Sequence, residues 1–233
     1  RIEVVDVDGT THIKETTKQI TITRNKIQPM AAFKFAYPTD NQLWYTRNTT
    51  RTDNIGFYAD DPFDAKINKH YYDEDNKLFV IEFDKPLKVI KKEAFKSISM
   101  TTYSRGMASI TLPEQLTTIE DEALRGSYIE ALTIPGNVTY IGESNFVFCE
   151  RLKSITFCPS PTNTPLKMEI CTTWGDDMGQ FELNGLVPLS YIYVDRNIIQ
   201  TKDGEPFTPD NSGEGIFSGS GDTVTTVVIG EQL

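Results

Sequence analysis

Between residues 87 and 157 the apolar positions fall into two kinds of cluster, and the pair of clusters recurs. "LKVIKKEAFKSISMTTYSRGMASITLP" (87–113), "LTTIEDEALRGSYIEALTIP" (116–135) and "VTYIGESNFVFCERLKSITF" (138–157) align with one another. Leu116 to Val138 and Leu112 to Ile134 are steps of 22 residues, and Ile134 to Phe157 is a step of 23. A fixed step of this size is the mark of stacked repeats. In each unit the first cluster, typified by Leu116, Ile119 and Leu124, is spaced three and five apart, which predicts a short extended piece followed by a single helical turn. The second cluster, Ile129, Leu132 and Ile134, ends in "ALTIP". That run alternates like a half-buried strand, with Leu132 and Ile134 inward and Ala131 and Thr133 outward. The matching outward pairs are Ser109 with Thr111 and Ser154 with Thr156. Pro113 and Pro135 stand at the strand ends, where a missing amide donor costs least. Ala94 and Ala123 are expected where the backbone of the next unit comes close. One such unit cannot bury its own apolar face, so the units must stack.

Outside the repeat the pattern changes. Residues 1–40 contain strand-like runs at 2–7 and 19–23, then the Ala- and Phe-rich "MAAFKFAYP". Residues 1–80 are therefore expected to form a β-rich N-terminal cap or lead-in, and 81–233 the repeat array. Pro and Gly break the period at about 159–185, which predicts an irregular insertion. "TVTTVVIGEQL" is the strand of a further unit, with an edge open to another chain.

Composition narrows the function. The 233 residues carry a formal charge of −10, and no cluster of Lys and Arg offers a surface to a nucleic acid, whose binding rests on phosphate neutralisation. The basic piece 88–92 interleaves charge with apolar residues, as a wet surface segment does. Three cysteines, Cys149, Cys158 and Cys171, include no Cys-x-x-Cys pair, so no zinc or redox motif is present. Cys149 lies inside the apolar pattern and is expected to be buried, and a Cys158–Cys171 bridge is left open. His12 and His70, both among polar neighbours, give little material for a metal or catalytic site. No run approaches the ~20 apolar residues of a membrane span. Arg1 is not an initiator methionine, so the numbering is expected to start after a removed leader or a cloning boundary.

Three motifs suggest chemistry. "RIEVVDVDGTTH" resembles the opening of haloacid-dehalogenase-type phosphatases, with Asp6 as nucleophile and Asp8 beside it, and "WGDDMG" offers Asp176 and Asp177 as a late acidic pair. That chemistry needs a parallel sheet of βα units, which the pattern lacks, so Asp8-Gly9 is taken as a turn. "YYDEDNKLF" gathers Asp73, Glu74 and Asp75. It lacks the spacing and glycine of an EF-hand loop and is read as a hairpin turn, not a Ca²⁺ site. Trp44, Tyr45, Phe57, Tyr58, Tyr71, Tyr72, Trp174, Tyr191 and Tyr193 have the ring chemistry to stack on sugars. Core packing claims most such residues. Trp174, in a Gly-rich stretch, is the candidate stacking residue, with Tyr191 and Tyr193.

"VIKKEAF", "SITLPEQLTTIEDEAL", "ALTIPGNVTYIG" and "NFVFCERLKSITF" resemble the BspA-like leucine-rich repeats of bacterial cell-surface proteins. The Trp-Tyr-Thr-containing stretch 41–95 is similar to the lead-in that precedes the first repeat in many of them. The likeness covers about residues 41–158 well and 186–233 loosely. Three departures stand out: Asn145 where the family usually has Ala, Leu124 where it has Phe, and an insertion at 99–106. The resemblance implies a leucine-rich-repeat solenoid of short β-strands with irregular or short helical returns, preceded by the β-rich cap. It also implies a non-catalytic adhesion or recognition protein, extracellular and outer-membrane-associated, of a host-associated bacterium. A lipid anchor upstream of residue 1 is left open. The expected partner is a protein or glycan outside the cell, with no cofactor and no metal. The candidate binding surface is Ser109, Thr111, Ala131, Thr133, Ser154 and Thr156. The alternatives are a carbohydrate-binding part of a surface glycan-uptake system, using Trp174, Tyr191 and Tyr193, and a structural spacer.

Overall fold

A computed structural model of the chain describes residues 38–47, 52–97 and 106–169, and the strands at 2–5, 11–14, 191–194, 198–200 and 226–229. In chain order the strands are β1 (Ile2–Val5), β2 (Thr11–Lys14), β3 (Gln42–Arg47), β4 (Ile67–Asp73), β5 (Leu78–Phe83), β6 (Val89–Ile90), β7 (Met107–Thr111) and β8 (Thr118–Ile119). Then come β9 (Ala131–Ile134), β10 (Tyr140–Ile141), β11 (Ser154–Phe157), β12 (Leu166–Met168), β13 (Tyr191–Val194), β14 (Ile198–Gln200) and β15 (Thr226–Ile229). Among the described residues no helix is long and apolar enough to cross a membrane. The chain divides into two compact units, Arg1–Tyr37 with Glu231–Leu233, and Pro38–Gly230.

In the first unit β1 and β2 pair antiparallel, with Val5 opposite Thr11. Asp6 and Asp8 lie outside the described residues, on the connection between two antiparallel strands. The phosphatase motif instead requires its strand to sit in a parallel sheet. The partner strand comes at Thr11–Lys14, and the run expected at 19–23 lies outside the described residues.

The second unit opens with an antiparallel sheet in the order β4-β5-β3-β7. Alternation decides its faces: Leu43 and Tyr45 of β3 and Phe79, Ile81 and Phe83 of β5 are buried in the core, as period-2 side chains on one face must be. Tyr45 stacks on Phe79 at 4.7 Å, and Phe63 meets Phe57, Phe83 and Phe95 within 5.6 Å. The turn between β4 and β5 is the acidic stretch: Asp73 Oδ1 accepts from the Asp75 and Asn76 amides, and Oδ2 from Asn76 Nδ2. Its carboxylate closes the hairpin.

Two parallel sheets follow, in the orders β14-β12-β10-β8-β6 and β15-β13-β11-β9. From β8 onward each unit of the sequence gives one strand to each sheet, while the first unit gives β6 to the one and β7 to the antiparallel sheet. Ile119 stands opposite Ile90 and Ile141, and Ile134 opposite Phe157, so the steps counted along the chain are the sheet register. These four isoleucines and Phe157 are fully buried, each contributing roughly 1.5–3 kcal/mol. After the first strand of a unit the chain makes consecutive i→i−3 turns in place of the expected helical turn, with Glu93, Glu122 and Ser144 at φ of 60°, 55° and 59°. These left-handed residues turn their amides toward the next unit. Glu93 N, Phe95 N and Ser97 N donate to the carbonyls of Asp121, Ala123 and Arg125, and Glu122 N and Gly126 N to those of Glu143 and Val147. At the remaining rung Leu124 N donates to the side-chain Oδ1 of Asn145, whose Nδ2 donates to the carbonyls of Glu120 and Gly142. Asn145 is fully buried. The position that departs from the usual alanine thus bonds the backbone of two successive units.

Residues 62–64 cover the outer edge of β6. Phe63 bridges Ile90 antiparallel, Lys91 N donates to the Pro62 carbonyl, and Asp64 Oδ1 accepts from the Lys88 and Val89 amides. Within the stretch expected to be an irregular insertion, Leu166–Met168 is a strand of the first parallel sheet, paired with β10 and β14. Leu166 and Met168 point inward, so three alternating residues suffice to rejoin the sheet after the proline-rich stretch 159–165.

Candidate functional site

The strand pair β9 and β11 presents the outward residues that alternation singles out. Ala131 and Thr133 are exposed, and Ser154 and Thr156 half-buried, while Leu132, Ile134, Ile155 and Phe157 fill the core. In register Ala131 faces Ser154 and Thr133 faces Thr156. The rows continue to Tyr191 and Tyr193 on β13, and to Thr226 and Val228 on β15. The two tyrosines, assigned from sequence to a separate stacking site, therefore occupy the same rows as the hydroxyl residues. Trp174 lies outside the described residues, as do Asp176, Asp177 and Cys171.

Ser109 and Thr111 lie beside β9: Glu130 N donates to the Ala108 carbonyl at 3.3 Å, as Lys153 N donates to that of Glu130 one unit on. They belong to β7, which pairs antiparallel with β3, Ser109 opposite Thr46 and Thr111 opposite Trp44. Ser109 Oγ is bonded to Thr46 Oγ1 at 2.6 Å. The first unit's second strand was thus aligned correctly by its apolar residues, with Ile110 and Leu112 buried, and besides bordering β9 it pairs with β3. Sequence repetition carries no mark of that second partner, because β3 lies more than sixty residues away, at Gln42–Arg47.

The rim of the β9–β11 face is electrically closed by the pair Lys153 Nζ–Glu130 Oε2 at 3.0 Å. Behind it, at the unit turns, Lys96 Nζ lies 2.6 Å from Glu93 Oε1 and 2.7 Å from Glu122 Oε2, and Arg125 pairs with the same Glu122. Burial pushes the Glu122 carboxyl up, but hydrogen bonds from Lys96 and Arg125 more than offset it and hold the group below its ordinary pKa. These charges tie the first two units together. Sequence reasoning passed over them, although Glu at one position and a cation three residues on recur in "EAFK" and "EALR".

Groups with catalytic potential are engaged in packing. His70, expected among polar neighbours, accepts from or donates to Tyr45 OH at 2.8 Å and stacks on Phe57. Ile55 N donates to the same hydroxyl, which leaves the tyrosine proton for an unprotonated His70 nitrogen. Burial lowers the histidine to about 4. Cys149 is buried as expected, and burial pushes its thiol up to about 11, so it stays protonated at neutral pH. On the other parallel sheet Tyr140 OH donates to Glu169 Oε1 at 3.2 Å. Burial, then the Glu169 charge, push that hydroxyl up to about 12. No group of His, Cys, Asp and Glu among the described residues is arranged to hold a metal ion.

Residues 65–168 match the family model described as the BspA type leucine rich repeat region, in six copies. Among curated proteins and among solved structures nothing matches the chain. The matched copies run from β4 through β12 and take in the inward rows and turn ladder described above. Over residues 65–168 this chain is similar to the BspA-type leucine-rich repeats, which are typical of bacterial surface proteins and are generally modules of protein interaction.

Proposed function

We propose that the chain is a non-catalytic recognition module at the outer surface of a bacterial cell, a solenoid that adheres to a macromolecule of a host or of a neighbouring cell. Ala131, Thr133, Ser154 and Thr156 are the proposed contact residues. One observation carries this reading: four small, uncharged side chains stand in two adjacent registered rows on an accessible face. Short side chains let a partner approach the sheet closely, and hydroxyls offer both donors and acceptors. Repeat arrays supply such faces at low cost in flexibility.

The test is a pull-down of host extracellular-matrix proteins on the immobilised chain, with Thr133→Arg and Thr156→Arg as face variants and Ile134→Asp as an unfolded control. Saturable capture of a protein, lost in both arginine variants while their melting stays at the wild-type temperature, supports the proposal. Capture that the arginine variants leave intact, or no capture at all, overturns it.

A further inference from the structure

The outer face of the antiparallel sheet carries features that the adhesion reading does not use. Opposite the core-facing row His70–Ile81–Leu43 runs an outward row across all four strands, Tyr71–Val80–Trp44–Thr111. Tyr71 is 39% exposed, and Thr111 is exposed as well. Val80 is only 3% exposed yet stands apart from the core cluster. A valine on a solvent-facing row becomes buried when large neighbours lean over it, and its cross-strand neighbours are Tyr71 and Trp44. Strands lie ~4.8 Å apart, so the two aromatic residues sit ~10 Å apart on either side of the valine.

We infer that this row is a binding platform for a neutral polysaccharide. The apolar C–H faces of pyranose rings pack on flat aromatic side chains, and two such rings flanking a low apolar floor fit successive sugars of one chain. The rim has the hydrogen-bonding character such a ligand needs. Gln42 Oε1 accepts from the Trp44 indole N–H at 3.2 Å, which fixes the ring, and Thr111 stands beside it. Charge on the face is already matched: Lys69 Nζ lies 3.5 Å from Glu82 Oε1 across the strands. An acidic or basic partner therefore gains little there. Size argues the same way, since four strands of about six residues span ~400 Å², under the ~800 Å² per partner of a stable protein interface. A slim chain that needs only a strip of contact suits it better than a folded protein.

The platform's aromatic residues stand on β3 and β4, with β7 between them and β9, so variants at Tyr71 and at Thr133 let the two proposals fail separately. The experiment titrates the whole chain with cellohexaose, xylohexaose, mannohexaose and laminarihexaose, following tryptophan emission and calorimetric heat. The sequence has two tryptophans, and Trp174→Phe leaves Trp44 as sole reporter. At least one hexasaccharide is expected to shift the emission of the Trp174→Phe variant. Tyr71→Ala is expected to weaken binding at least tenfold, and Tyr71→Phe, which keeps the ring, to bind within twofold of wild type. Thr133→Arg is expected to leave sugar binding unchanged. Absence of binding across the panel, undiminished binding by a folded Tyr71→Ala, or dependence on Trp174 in place of Trp44 overturns the inference. So does capture of a protein on this face without any sugar.

Discussion

In the antiparallel sheet, β3 meets β5, with β4 between them in sequence, and β7 farther along the chain, and aromatic packing around Tyr45, Phe79 and Phe83 holds the sheet to the core. In the parallel rows, each strand meets only the equivalent strand of the next unit, and the turns between them add a second ladder of backbone bonds. The contrast teaches where stability is kept. The first region depends on long-range pairing of large side chains, the second on repetition of small errors-intolerant contacts, with an ion cluster and one buried amide at the places where repetition is imperfect.

The hardest blow to the repeat region is a charge in an inward row. Ile119→Asp is expected to abolish the cooperative melt followed by circular dichroism, because an unpaired carboxylate would sit where Ile90 and Ile141 now pack. Thr133→Asp, exposed on β9, should stay within about 0.5 kcal/mol of wild type. Equal stability of the two variants would reverse the assignment of faces.

Next in size is Glu122→Ala, which strands Lys96 and Arg125. A cost of roughly 2 kcal/mol is expected in urea denaturation, less than for a fully dry pair. Converting Lys96, Glu122 and Arg125 together to Met should recover most of it. Asn145→Ala removes the acceptor of Leu124 N, for about 1–2 kcal/mol, even though alanine is the usual residue there in the resembling sequences. A gain in stability would show that the turn can re-form the backbone rung by itself.

The pH-dependent effect belongs to the antiparallel sheet. His70 titrates at about 4 in the folded chain against 6.5 when free, so the unfolded chain binds the extra proton between those values. Stability is whole above pH 6.5 and declines as pH falls toward 4. His70→Gln, compared with wild type by melting at pH 7 and pH 5, should show a smaller drop over that interval. An identical drop would remove the histidine as the cause. Glu122, held below its ordinary value, adds a loss that begins lower, below about pH 4.5.

Legibility in sequence followed the same divide. Apolar spacing alone located Ile119, Ile134 and Phe157 in their rows, and the register of Ile134 with Phe157 is the counted step of 23. What spacing cannot report is partner choice. Ser109 and Thr111 look like their counterparts in the other units, yet on the side away from β9 their strand β7 pairs with β3, which repeats nothing in the array. The tyrosines at 191 and 193 were visible as a pair, but the 37 residues from Ser154 to Tyr191 hid that they extend the rows of Ser154 and Thr156. His70 looked polar because its sequence neighbours are, while its packing partners, Tyr45 and Phe57, come from other segments.

The cover over β6 bears on how such a chain can grow by gene duplication. Asp64 holds the Lys88 and Val89 amides, and Phe63 occupies the side of Ile90 where an earlier unit would pair. A unit copied in ahead of residue 87 would meet an edge already taken, and would have to carry its own version of residues 62–64 or leave its strand without a neighbour. A unit copied in between β8 and β11 meets matching rows on both sides. Lengthening by insertion within the array is therefore the tolerated route, and sequence drift should run fastest among the inner copies and slowest in the short segment that closes the first one.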